Sequence, residues 1–98
     1  MDVRCTSIED VRTHIDHIDQ RLVALLAQRG HLVAQAAAFK KTSHDGRAPP
    51  RVEQVIAKVR GIAGDTGASP EVVERVYRAM IAAFIDEELQ VHAGLTGK

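Results

Sequence analysis

Basic side chains recur at helical spacing in the first half of the chain. Arg29 and Lys40 are eleven residues apart in a stretch that contains no proline and is typical of one helix. On an ideal helix this spacing turns the two side chains to within about 20° of each other, with their Cα atoms about 16 Å apart. Both side chains are long enough to converge on one small molecule. Two cations at one site suit a ligand that carries several negative charges.

Arg29 interrupts an otherwise apolar stripe, which alternates steps of three and four residues like a coiled-coil seam. The other members of this seam are Ile8, Val11, Ile15, Ile18, Leu22, Leu25, Leu32, Ala36 and Phe39. A guanidinium on such a stripe is costly to bury unless it meets an anion. Spacing alone leaves two interpretations open: a polar residue that sets the register of the seam, or the binding group of an anionic ligand.

Two further charged residues stand out from their helical patterns. Arg12 lies seventeen residues before Arg29, which turns it about 100° away on an ideal helix, so that it is better placed to reach a partner chain. Glu88 continues an apolar face at i+7 from Ile81 and i+4 from Phe84. It either faces a ligand or marks the point at which its helix leaves the core.

Three helices are expected to position these residues. Their expected boundaries are about 7–41, 49–63 and 69–92. Ser7 and Ser69 are capping residues, and Pro49 and Pro70 suit the first turn of a helix. No segment has the alternation of a strand. The expected fold class is therefore all-α, with a single domain over residues 1–98.

The first helix is long for a chain of this size. About 33 helical residues span roughly 50 Å, whereas a compact domain of this length has a radius of gyration of only ~13 Å. The two shorter helices cannot cover a seam of that length. We therefore expect an intertwined homodimer in which the long helices of two chains pack against each other.

Composition excludes several classes of function. The formal net charge of 0 and the pI near 7.0 argue against binding of nucleic acids or anionic membranes by bulk charge. Aromatic residues are 3% of the chain, which disfavours stacking platforms for bases. Neither a membrane-spanning run nor a signal peptide is evident, and the single cysteine cannot form an internal disulfide, so a cytoplasmic protein is expected.

The histidines and the cysteine give no clear metal motif. His14 and His17, with Asp16 and Asp19, are interpreted as exposed polar residues of a helix. Cys5 lies near the terminus without an evident base and is interpreted as inert. No metal site is therefore expected.

The sequence resembles the all-α (AroQ-class) chorismate mutases. The matching segments are "VRTHIDHIDQRLVALLAQRGHLVAQAAAFKK", "PPRVEQVI" and "VVERVYRAMIAAFIDEELQ", which cover most of the chain. The resemblance implies a homodimer with two active sites that rearranges chorismate to prephenate, a step of aromatic amino acid biosynthesis. Each site would be built mainly from one chain, with an arginine from the other.

The resemblance also implies roles for individual residues. Arg12 corresponds to the carboxylate-binding arginine that the partner chain donates, and Arg29 to the one from the same chain. Lys40 corresponds to the donor to the substrate's ether oxygen, and Arg51 to the arginine at the start of the second helix. Glu88 stands where most relatives have a glutamine that also contacts the ether oxygen, although some fungal mutases carry a glutamate there.

The implied chemistry fits these residue types. The rearrangement is pericyclic and needs no nucleophile, general base, metal or organic cofactor. The protein must hold a compact diaxial conformer of a dicarboxylate and stabilise the negative charge that develops on its ether oxygen. If Arg29 binds the ligand, a substrate carboxylate is the anion that its guanidinium meets.

One departure from the mutase pattern points to a neighbouring activity. The mutases usually carry D-x-x-R-E at the start of the second helix, where the acids hold the ring hydroxyl of the substrate. Here the stretch is "APPRV", so that Ala48 and Val52 replace both acids. This resembles the isochorismate-pyruvate lyases of salicylate and siderophore synthesis, which share the fold and similar cations. The mutase is the favoured expectation, and the lyase is the alternative.

Two further hypotheses concern the same region. A non-catalytic helical dimer or regulatory module is the alternative from another class, and the complete set of cations argues against it. Arg47, within the 42–48 segment, could contribute to a lid over the site.

Overall fold

The chain folds into α-helices. The computed structural model describes residues 4–39 and 49–96. In that part of the chain the elements are α1 (Ile8–Ala38), α2 (Pro49–Thr66) and α3 (Pro70–Thr96), with no strand among them. The all-α prediction with three helices, one of them very long, is confirmed. The chain forms two compact units, Met1–Gln35 and Ala36–Lys98.

Hydrogen bonds around Ser7 fix the start of α1. The backbone N–H of Asp10 donates to Ser7 Oγ at 3.0 Å, and Val11 N–H donates to the Ser7 carbonyl at 3.1 Å. The Asp10 carboxylate in turn accepts from the backbone N–H of Thr6 at 3.2 Å. The bond from Asp10 N–H to Ser7 Oγ satisfies an amide group that a helix start leaves without an intrahelical partner. The carboxylates of Glu9 and Asp10 in the first turn also suit the positive end of the helix dipole.

The apolar seam of α1 remains largely exposed within one chain. Leu22, Leu25 and Leu32 are 51, 57 and 63% exposed, and Ile15 is 48% exposed. An apolar stripe that is this accessible over several turns is unusual for a stable monomer. This surface is the one that the predicted dimer would bury.

The core of the second unit lies between α2 and α3. Ile56, Val59 and Ala63 are only 4, 8 and 2% exposed, and they follow each other at i, i+3 and i+7 along one face of α2. The opposing apolar face of α3 is half-buried and consists of Val73, Tyr77, Met80, Ile81, Phe84 and Ile85.

An ion-pair network joins α2 to α3 in antiparallel register. Arg78 donates to both carboxylate oxygens of Glu53 at 3.0 Å and, through Nε, to Glu74 at 2.7 Å. Glu74 accepts a second bond, of 2.8 Å, from Arg60. The hydrogen bonds from Arg78 are the main reason that the pKa values of Glu53 and Glu74 lie below their ordinary range. Glu74 thereby bridges one arginine from each helix.

The turn between α2 and α3 lies further along the chain than the sequence indicates. We expected α2 to end near residue 63 because of its glycines, but the helix continues to Thr66. Gly67 has a positive φ of 81°, and Ala68 N–H donates to the Ala63 carbonyl at 2.9 Å, which is a Schellman cap. Ser69 Oγ accepts from Val72 N–H at 3.3 Å and caps α3, as predicted. α3 then extends to Thr96, beyond the expected end near residue 92.

Within the described residues, every helix is too short or too polar to cross a membrane.

Candidate active site

The two arginines predicted on the first helix both lie on α1. Because α1 is continuous from Ile8 to Ala38, ideal helix geometry places Arg12 and Arg29 about 25 Å apart along the axis and about 100° apart around it. Arg12 is exposed, whereas Arg29 is half-buried and has an interaction of its own within the chain. Their separation means that one small substrate cannot contact both arginines of the same helix.

The predicted ether-oxygen donor falls outside the described part of the chain. The structure does not describe residues 40–48. This segment contains Lys40, Arg47, Ala48 and the hypothetical lid at 42–48, so that their roles stay predictions. The last described turn of α1 closes with a 3.0 Å hydrogen bond from Phe39 N–H to the Ala36 carbonyl.

The start of α2 presents one cation and one apolar side chain. Arg51 is exposed in the first turn. Val52 is half-buried and lies four residues before Ile56, so that it continues the core face of the helix. An isopropyl group at this position neither accepts a hydrogen bond nor carries charge. A substrate hydroxyl near the start of α2 therefore cannot be held by residue 52.

Glu88 lies in the C-terminal half of α3. It is exposed, and it follows the half-buried Phe84 by four residues, as the sequence pattern indicates. The Arg78–Glu53 pair sets the antiparallel register. When this register is extended to the start of α2, Arg51 lies level with about residue 80, which is roughly 12 Å before Glu88 along α3. Arg51 and Glu88 can therefore contact opposite ends of one small ligand but do not form a close pair.

These residue types support binding and electrostatic stabilisation. Arginine binds carboxylates through two parallel hydrogen bonds, and its fixed charge suits a dicarboxylate. A carboxyl group such as that of Glu88 donates a hydrogen bond only when it is protonated. The arginines are not nucleophiles and act by binding and by their charge, which is the kind of support that a pericyclic reaction needs.

One group of potential metal ligands was not predicted from the sequence. Cys5, Asp10 and His14 lie together at the start of α1. The available signal was the serine cap at Ser7, which turns the preceding residues back toward the first turn of the helix. Spacing along the sequence does not by itself bring the cysteine and the histidine together.

Comparisons with known proteins agree with the resemblance seen in the sequence. The chain is 30% identical over 86 residues to an isochorismate pyruvate lyase from Pseudomonas aeruginosa, a match that covers 88% of this chain and 85% of that protein. Residues 11–89 match the family described as chorismate mutase type II. This matched region contains Arg12, Arg29, Arg51 and Glu88 together with most of all three helices. The chain therefore belongs to the chorismate mutase type II family.

Proposed function

We propose that the protein eliminates pyruvate from isochorismate and leaves salicylate. The observation that carries this proposal is Val52, a half-buried apolar residue at the position where mutases of this family usually have a glutamate. The similarity to an isochorismate pyruvate lyase supports the same assignment. The sequence pattern alone favours the mutase, and these two observations together favour the lyase instead.

The proposed reaction balances without a cofactor. One ring hydrogen moves to the methylene carbon of the enolpyruvyl group as the bond between the ring carbon and the ether oxygen breaks. The ether oxygen becomes the keto oxygen of pyruvate, and the ring becomes aromatic salicylate. Negative charge builds on the departing oxygen, so that a cation beside it stabilises the transition state more than the ground state.

The roles proposed for individual residues follow the family pattern. Arg29 and the partner's Arg12 bind the two substrate carboxylates, and Arg51 closes the site from the start of α2. Lys40 and protonated Glu88 donate to the ether oxygen. The arginines hold the substrate in a compact conformer, which supplies the entropic part of the rate enhancement.

The proposed enzyme is a homodimer. The exposed seam of α1 supports this, because pairing of two long helices would remove a continuous stripe of leucine and isoleucine from water. Arg12 lies about 100° from Arg29 on the same helix, which fits donation to a second chain. Sedimentation of the purified protein should give twice the chain mass of 10.7 kDa. A folded and active monomer would contradict the shared site.

Chorismate mutase is the second candidate activity. Its support is the match of residues 11–89 to the chorismate mutase type II family. Both reactions break the same kind of ether bond in a diaxial dicarboxylate, so that the same cations serve either one. They differ in the position of the ring hydroxyl, and therefore in the need for an acceptor at residue 52.

Separate assays of the two substrates test the proposal. Purified protein is incubated with isochorismate while salicylate and pyruvate are measured, and with chorismate while prephenate is measured. We expect salicylate and pyruvate in equal amounts, with kcat/KM for isochorismate at least tenfold above that for chorismate. A higher kcat/KM on chorismate would assign the protein as a mutase, and no turnover of either substrate would favour a non-catalytic role.

A further inference from the structure

The start of α1 brings together three side chains that can bind a transition metal. Cys5 Sγ, a carboxylate oxygen of Asp10 and a ring nitrogen of His14 all lie within 4.8 Å of one another. His14 Nε2 is 3.5 Å from Asp10 Oδ1. Thiolate, imidazole and carboxylate are the three donor types that proteins use for zinc.

The hydrogen bonds at the start of α1 explain why these residues meet. Ser7 Oγ accepts from Asp10 N–H, and the Asp10 carboxylate accepts from Thr6 N–H at 3.2 Å, which turns the preceding segment back across the first helical turn. Cys5 is thereby held beside Asp10. His14 lies one turn further along the same face of the helix, at i+4 from Asp10. A local cap and the helical repeat thus produce a cluster whose members span ten residues.

We propose that Cys5, Asp10 and His14 form a zinc-binding site. In a tetrahedral zinc site with bonds of ~2.3 Å to sulfur and ~2.0 Å to nitrogen and oxygen, the donor atoms are roughly 3.3 to 3.6 Å apart. The Asp10–His14 separation of 3.5 Å already falls in that range. A side-chain shift of about 1 Å brings the Cys5 thiol to the same spacing. Water supplies the fourth ligand.

The surrounding hydrogen bonds favour this arrangement. The bond from Thr6 N–H engages Asp10 Oδ2 and leaves Oδ1 directed at His14. Such outer contacts orient metal-binding carboxylates and histidines. Binding releases the thiol proton of Cys5 to solvent, while no electrons move. Magnesium and calcium prefer sites built from oxygen atoms, so a thiol and an imidazole select against them.

The site is separate from the proposed active site. Asp10 and His14 are two residues on either side of Arg12, which places each of them about 160° from Arg12 around α1. A metal here would fasten the segment before α1 to the first turn of that helix. The inference therefore does not depend on which reaction the protein catalyses.

Cobalt spectroscopy tests the site directly. Untagged full-length protein is reduced, freed of metals and titrated with Co²⁺, whose thiolate complexes have a charge-transfer band. We expect that band together with the visible bands of tetrahedral cobalt, saturating at one ion per chain. Zn²⁺ should remove both signals at one equivalent, while a large excess of Mg²⁺ should leave them unchanged.

Substitutions identify the ligands. Cys5→Ser and Cys5→Ala should each abolish the charge-transfer band. Asp10→Asn and His14→Gln should weaken Co²⁺ binding by more than the ~10-fold that loss of an outer contact produces. His17→Gln is the matched control, because His17 is an exposed histidine on the next turn of the same helix. Circular dichroism verifies that each variant retains its helices.

Three results would overturn the proposal. The first is a wild-type protein without a thiolate–cobalt band, which would leave the cluster as a helix cap alone. The second is a loss of affinity in His17→Gln equal to that in His14→Gln. The third is displacement of Co²⁺ by Mg²⁺, which would mean that oxygen ligands alone bind the ion.

Discussion

At the scale of single residues, position 52 is proposed to separate the two candidate reactions. A valine there cannot accept a hydrogen bond from a ring hydroxyl, whereas a glutamate can. A hydrogen bond to a charged group contributes about 1.5–3 kcal/mol, which corresponds to roughly 10- to 150-fold in relative rate. One side-chain change is therefore sufficient in size to reverse a preference between two isomers of the substrate.

Substitution Val52→Glu should shift the enzyme toward chorismate. We expect the ratio of kcat/KM for chorismate to that for isochorismate to rise at least tenfold. Val52→Met is the matched control, because it has the length of glutamate without its carboxylate, and it should leave the ratio near that of the wild type. An equal shift in both variants would mean that size rather than hydrogen bonding is responsible.

Glu88 should make turnover depend on pH. Its ionised form would repel the charge that develops on the ether oxygen, whereas its protonated form donates a hydrogen bond. If Glu88 is the donor, turnover of the wild type should therefore be higher at acid than at neutral pH. Glu88→Gln should remove most of this dependence and keep activity at neutral pH. The measurement is the pH-rate profile of each protein on the better substrate.

The adjacent Glu87→Gln variant is the control for that profile, because Glu87 is also exposed on α3. It should reproduce the wild-type curve. A flat wild-type profile from acid to neutral pH, or a Glu88→Gln protein that is inactive throughout, would exclude Glu88 as the donor to the ether oxygen.

At the scale of secondary-structure elements, caps and turns decide what the sequence can predict. The serine caps of α1 and α3 were predictable, because their hydroxyls act on amides three residues ahead. The end of α2 was not, since Gly64 also fits a turn and only Gly67 adopts the positive φ that ends the helix. The Cys5 cluster was missed for a related reason: its contacts depend on how the chain enters α1.

The register of α2 and α3 also required the structure. Periodicity identifies the apolar face of each helix but does not specify which turn of one helix lies opposite which turn of the other. Arg60, Arg78, Glu53 and Glu74 provide that information through their ion pairs. In the sequence these four residues look like any solvated surface charges.

The Glu74 bridge should make stability depend on pH in the acid range. Hydrogen bonds from Arg78, and then from Arg60, hold the pKa of Glu74 below its ordinary value of 4.5. A carboxylate with a lowered native pKa stabilises the fold above its unfolded pKa, and the contribution is lost as pH falls through the native value. The thermal midpoint of the wild type should therefore decline below about pH 4.5.

Glu74→Gln should show a lower midpoint at neutral pH and a smaller decline on acidification. Scanning calorimetry at one fixed protein concentration measures both, because the midpoint of a dimer depends on concentration. Glu87→Gln again serves as control and should follow the wild type. Parallel curves for the wild type and Glu74→Gln down to about pH 3 would show that the bridge does not couple to folding.

At the scale of the whole molecule, the proposed active site requires two chains. Arg12 and Arg29 lie on one continuous helix but at different angles, and the resemblance assigns Arg12 to the partner's site. The cations, their spacing and the apolar seam could all be identified from the sequence. The environment of Arg29 was not, because it is half-buried and already has an interaction within its own chain.

Subunit mixing should reveal the exchange of Arg12. Homodimers of Arg12→Ala and of Arg29→Ala should each be nearly inactive. In a mixed dimer one site carries both substitutions and the other carries neither, so that one of its two sites recovers. With complete random exchange, half of the dimers are mixed, and activity should return to about a quarter of the wild-type value.

Mass spectrometry of intact dimers provides the control, because it reports the fraction of mixed dimers directly. Activity should rise in proportion to that fraction. Mixed dimers without recovered activity would place Arg12 and Arg29 in the same site of one chain, whereas an active Arg12→Ala homodimer would remove Arg12 from the site.

A competition between the two isomers tests the central claim most directly. Equal concentrations of chorismate and isochorismate are given to the same enzyme, and salicylate and prephenate are measured at early times. The ratio of the two products equals the ratio of the kcat/KM values. We predict that salicylate exceeds prephenate at least tenfold, and an excess of prephenate would contradict the assignment of this protein as an isochorismate pyruvate lyase.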